Sequence, residues 1–135
     1  MNTQEHDTGQ DAGRDSAAVR AEQGTAGWED AVRLQRWASP DHADFYALAG
    51  EIVATLSALD DLAQVLHRQV SRYGQGRRLY DDTRQVDPAA RVTEAARELT
   101  GLLEALQAAQ APANRFWSLI GHLGVEPADA GEVTP

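Results

Sequence analysis

The apolar positions of this chain are not spread evenly. Phe45, Ile52, Leu59, Leu66 and Tyr73 recur seven residues apart without a break. Writing that heptad a to g with these residues at a, Leu48 and Leu62 stand at d. Ala49, Leu56, Ala63 and Val70 widen the stripe at e. Such a stripe is the core-facing side of a helix in a bundle. Ser39 followed by Pro40 is an N-cap with proline at the first helical position, and Asp41 and Asp44 follow where the helix dipole favours acids. Arg68 and Arg72 suit the last turns, and Gly74 suits the residue just past the end. The pattern predicts a helix over about 40–73, with Asp60, Asp61, His67 and Arg68 on its solvent side.

A second stripe begins after Asp87-Pro88, another cap with an N1 proline. Val92, Ala95, Leu99, Leu102, Leu106 and Ala109 alternate in steps of three and four, and Ala96 and Leu103 broaden the row. Pro112 is expected to end this helix near residue 111. Phe116, Leu119, Ile120 and Leu123 then predict a short helix over about 113–123, and Trp28, Val32 and Trp37 another over about 27–37. The fold class is therefore all-α: a long antiparallel helical hairpin flanked by short helices. Aromatics of the short helices are expected to cap the hairpin's open end. The hairpin alone has little core, so the cap or a second copy of the chain has to supply the rest.

Two seam positions are polar. Thr55 and Gln69 stand at d, where leucine would fit. A polar group at a seam can fix register or oligomer state at a cost in stability. The simpler reading, preferred here, is that Leu56 and Val70 at e carry the core at those levels as the stripe rotates.

Composition refines this outline. Of 135 residues, 42% are apolar and 24% charged, ordinary for one globular domain with tails. Residues 1–24 and 126–135 are polar and acidic, with too little apolar surface to offset ordering. They are expected to be disordered around a helical domain at 25–125. All twelve basic residues are arginine and alanine is abundant, a bias expected of a GC-rich bacterial genome. There is no cysteine, which removes disulfide, thiolate and Cys-zinc chemistry and fits a cytoplasmic setting. The N-terminal residues carry no basic-then-apolar signal pattern, and no apolar run reaches the ~20 residues of a membrane span.

Candidate chemistry is sparse. His6, His42, His67 and His122 have no partner at metal-binding helical spacing. Asp60-Asp61 and Asp81-Asp82 are sequence neighbours, and on a helix neighbours point about 100° apart, unsuited to an acid/base dyad. No serine lies in a nucleophile elbow. No catalytic, cofactor or metal site is expected, and the chain is read as non-enzymatic.

The connection Gly74–Asp87 is fourteen residues long, against the usual ~2–8 between bundle helices. Its glycines are not followed by the Lys-Ser/Thr pair of a phosphate loop. Mixed charge reads first as a helix end followed by a solvated loop. Leu79 and Tyr80, two apolar side chains in that polar loop, must fold back on the bundle or dock on a partner. With the e-flank residues Leu56, Val70 and Leu103 they form the candidate docking surface, for a protein partner or a second copy. The alternative is a basic patch of Arg68, Arg72, Arg77 and Arg78 that would hold phosphate or nucleic acid. A net charge of -9 argues against a general pull toward nucleic acid.

Overall fold

The computed structural model describes the backbone of residues 11–128 and the side chains of residues 16–128. Those residues hold three helices and no strand: α1 (Asp11–Trp37), α2 (His42–Ser71) and α3 (Pro88–Gly121). None of these helices is long and apolar enough to cross a membrane. The chain divides into two units, Met1–Pro40 and Asp41–Pro135.

The first unit corrects two expectations. The short helix over 27–37 is the C-terminal part of a 27-residue helix, and residues 11–24, expected to be disordered, are helical. The physical reason is propensity. Residues 17–23 are Ala-Ala-Val-Arg-Ala-Glu-Gln, nearly all strong helix formers, although they bury almost nothing. Arg33 pairs with Asp30 one turn back. The remaining residues of the expected tails, 1–10 and 129–135, lie outside the described residues.

In the second unit α3 packs on α2. The pair is antiparallel: Tyr46, near the start of α2, meets Trp117, near the end of α3, with ring centroids 5.8 Å apart and planes tilted by 42°, while Val70 and Val92 share a groove at the other end. Asp41, rather than Ser39, caps α2, its carboxylate accepting from the Ala43 N–H at 2.7 Å. Asp87 caps α3 as expected, with Pro88 in the first turn. Beyond α2, Gly76 rather than Gly74 takes the left-handed conformation, at φ 70°.

The expected short helix over 113–123 does not exist separately. α3 runs unbroken through Pro112 to Gly121. A proline removes one backbone bond from a helix, but here the buried stripe continues across it. Ala109, Ala113, Trp117 and Ile120 are all half-buried, whereas Pro112 is exposed. The Asn114 side chain donates to the Gln110 carbonyl at 2.9 Å in the turn that the proline disturbs. Of the aromatic cap expected at the open end, this unit supplies Trp117 against Tyr46.

The seam between α2 and α3 is narrow. Its two fully buried apolar residues are Ala49 and Ala63, exposed by only 1% and 3%. At Gly50 an added Cβ would lie 3.3 Å from the Trp117 ring, and at Gly121 it would lie 3.0 Å from the Tyr46 ring. Ala63→Leu should therefore overpack the seam and cost about 1–3 kcal/mol of unfolding free energy. Ala54→Leu, on the exposed side of the same helix, should change it by no more than about 0.5 kcal/mol. Urea denaturation of the two variants checks this, and equal losses would show that the seam is not the tight contact.

Candidate functional site

The narrow seam reverses the expected roles of the heptad rows. Row e, expected at the flank, faces α3. Leu56 and Val70 are half-buried in the same row as buried Ala49 and Ala63, and Leu103 is half-buried on α3. All three are thus half-buried rather than fully exposed, and Val70 lines an open groove with Leu66 and Tyr73. The simpler reading of Thr55 and Gln69 holds to this extent: row e carries the contact at those levels. Asp60 and His67 are also half-buried, not on the solvent side as expected. Asp60 accepts from Gln64 Nε2 at 3.1 Å and from Gln107 Nε2 of α3 at 3.4 Å.

Rows a and d, expected to form the seam, turn to the surface along most of their length, although Phe45, Leu48 and Thr55 are half-buried. Ile52, Leu59 and Leu66 in row a are 39%, 44% and 38% exposed, and Leu62 in row d is 46% exposed. Tyr73 at the end of row a and Leu102 on α3 are exposed as well. Leu66 and Tyr73 line one groove together with Ala95 of α3, so both helices contribute to the same outward face. Leu102 lies one heptad beyond Ala95 on that side. A continuous apolar row about 30 Å long thus lies at the surface.

The long connection is ordered around one residue that sequence reading passed over. Asp81 is buried, at 7% exposure, within a polar loop. Its carboxylate accepts from the Thr83 hydroxyl, from Arg91 Nε at 2.9 Å and from the Gln85 N–H at 3.4 Å. The Thr83 bond, then the Arg91 bond, hold its pKa down at about 2, against the opposing effect of burial. Asp81 in turn raises the Arg91 pKa above its ordinary value. Arg84 takes a left-handed backbone, φ 58°, and lays its guanidinium over Tyr80 at 4.7 Å. The Asp-x-Thr spacing at 81–83, a turn motif in which the side chain bonds the backbone, was the available signal.

The loop residues singled out from sequence separate. Leu79 is half-buried and folds back toward Gly74 and the first turn of α3, in a groove that also includes Val92. Tyr80 is 69% exposed. Of the arginines, Arg68, Arg72 and Arg77 line one open groove with Val65, Gln69 and Tyr73, but Arg78 does not. Arg77 is already engaged with Tyr73, donating to its carbonyl at 3.0 Å and lying 4.6 Å over its ring.

At the opposite end, His42, Tyr46, Asn114, Trp117, Ser118 and His122 line an open groove. Trp117 Nε1 is buried without a hydrogen-bond partner, and that edge of the indole rests on Gly50. Among the described residues, no three His, Asp or Glu side chains come together as a metal site. Comparison of the chain with protein-family models, curated proteins and solved structures gave no match.

The Asp81 geometry sets an acid limit. Its folded pKa of about 2 lies below the ordinary 3.8, so its contribution is fully present above pH ~4 and is lost as the pH falls through 2. The Gln85 amide resonance should therefore titrate near pH 2 in the native chain and lose that step in Asp81→Asn. A midpoint near 4 would show that the carboxylate is not held by these bonds.

Proposed function

We propose that this chain is a non-enzymatic protein-interaction module, a helical hairpin that docks through its outward a/d face. The observation that supports this is the apolar row itself. Ile52, Leu59, Leu62 and Leu66 are regularly spaced and exposed together, and they lie beside Leu102. Exposed apolar residues are ordinary when scattered, but a contiguous patch marks a surface that another molecule covers. The docking surface proposed from sequence thus moves by one heptad row, from Leu56, Val70 and Leu103 to rows a and d. Tyr80, beside the end of that face in sequence, remains a candidate contact. The lack of cysteine fits a cytoplasmic setting.

The second reading is a regulator that touches phosphate or nucleic acid, favoured by the groove that gathers Arg68, Arg72 and Arg77. It ranks lower for two reasons. The groove lies at the C-terminal end of α2, where the helix dipole disfavours anions. Arg77 is also committed to Tyr73.

Leu59→Gln/Leu66→Gln should abolish association while leaving the helical content of the chain in place. Crosslinked co-purification of tagged wild type and variant, compared quantitatively, checks this. Arg77→Ala/Arg78→Ala and high salt should have little effect. Retention of the same associates by the leucine double variant would sink the proposal. Loss with salt and with the arginine double variant would move the function to the second reading.

A further inference from the structure

We infer that the occupant of this face is a second copy of the chain, docked antiparallel about a twofold axis at Leu62. The inference rests on the docking-face reading above and names its partner.

The outward face of residues 51–73, most of α2 with Arg72 and Tyr73 just past its end, consists of rows a, d and g, with d in the middle. Reversing the order within each row, about a centre within half a residue of Leu62, maps the face onto itself. In row d, Thr55 and Gln69 stand seven residues before and after Leu62. In row a, Leu59 maps onto Leu66 and Ile52 onto Tyr73. In row g, Ala58 maps onto Val65. The three rows contain one acid and one base, Glu51 and Arg72, and reversal maps one onto the other. An antiparallel copy presents this same face in reversed order. Apolar positions then meet apolar ones, the two polar d positions meet each other, and each Glu51 meets the Arg72 of the other copy. This is the self-complementarity that a twofold interface requires. Neither Glu51 nor Arg72 enters an ion pair among the described residues.

The angles agree with a closed bundle. At 3.5 residues per turn, row d lies about 100° round the helix from row e, and row a lies between them. α3 occupies row e. A second α2 on row d would stand at nearly a right angle to it, with row a pointing into the corner. Applied twice by the axis, this arrangement encloses both a rows between four helices. Leu59 and Leu66, now half-exposed, become core, and Leu102 lies on the same side.

The size is that of a modest interface. About an axis at Leu62, residues 53–71 of α2 face the same stretch of the second copy, a length of about 28 Å. With α3 about 8–10 Å away the face is about 20 Å wide, so each copy would cover about 600 Å². That is the lower end of specific interfaces, which bury about 600–1,000 Å² per partner. The unit also needs such a cover, since its fully buried apolar residues are two alanines.

Light scattering on a sizing column across a wide concentration range should give the mass of two full-length chains. The native sequence has no cysteine. Leu62→Cys, on the axis, should therefore crosslink as a two-chain species on mild oxidation, and Ala54→Cys, on the far side of α2, should not. Glu51→Arg and Arg72→Glu should each raise the dimer dissociation constant about tenfold, by making two like-charge contacts, and the double reversal should restore it. A monomer at every concentration would overturn the second copy as occupant. The docking-face reading would survive that result if Leu59→Gln/Leu66→Gln still lost other associates. A dimer indifferent to the charge reversals, or crosslinked as readily at residue 54 as at 62, would also overturn the inference, because the copies would meet elsewhere.

Discussion

The second unit depends on the close approach of α2 and α3. Alanine at 49 and 63 and glycine at 50 and 121 leave room for one helix to lie almost directly on the other, with the Trp117 and Tyr46 rings filling the space at one end. The fully buried positions of that seam hold only alanine, with Leu56 and Val70 half-buried between and beyond them, and the uniformly large residues of row a stand to one side. The same alanines that let α3 approach thereby place the largest apolar residues of α2 at the surface. Packing and the candidate site are two consequences of one choice of residue size.

The loop then fixes the far end of that face. Asp81 ties the connection to Arg91 in the opening turns of α3, and Thr83 and Gln85 complete the ring of donors around it. Leu79 folds back against Gly74. Arg77 reaches back over the Tyr73 ring, so the last member of row a is held by the loop that follows it. A connection of this length would ordinarily be loose. A buried carboxylate with three donors makes it a defined structure, because leaving any of those partners unmet would be costly.

Much of this was legible in the chain. The two long helices follow from their stripes, and Asp87-Pro88 marks the start of α3 because a cap and an N1 proline act locally. Pro112 misled because its local cost is real but is outweighed by a stripe that continues through Ala113, Trp117 and Ile120. The helix over residues 11–24 leaves no apolar stripe to read, because it rests on propensity and not on burial. Hardest to read was the rotation of the stripe. A helix whose apolar positions occupy a, d and e offers two ways to pack, against row a or against row e. Periodicity alone does not say which row meets the partner helix within the chain. Residue size does, since row e alternates alanine with Leu56 and Val70 whereas row a is uniformly large. Asp81 was invisible for another reason: its role needs Arg91, ten residues away, brought back by the fold.

The width of the stripe also explains why the surface row is not simply an inefficient core. A helix that packs on one neighbour needs one seam, and α2 carries two. Half-exposed, each of Ile52, Leu59 and Leu66 forgoes about 1 kcal/mol of the transfer free energy that full burial would give. A chain selected only to fold as a pair of helices could place glutamate or arginine in row a at a modest loss, as it does elsewhere on the solvent side of α2. Thr55 and Gln69 stand at equal distances from Leu62 in a leucine-rich row, where they lower the gain from burial. Between two antiparallel copies, they would penalise every register but one, which is the service a polar residue at a seam provides.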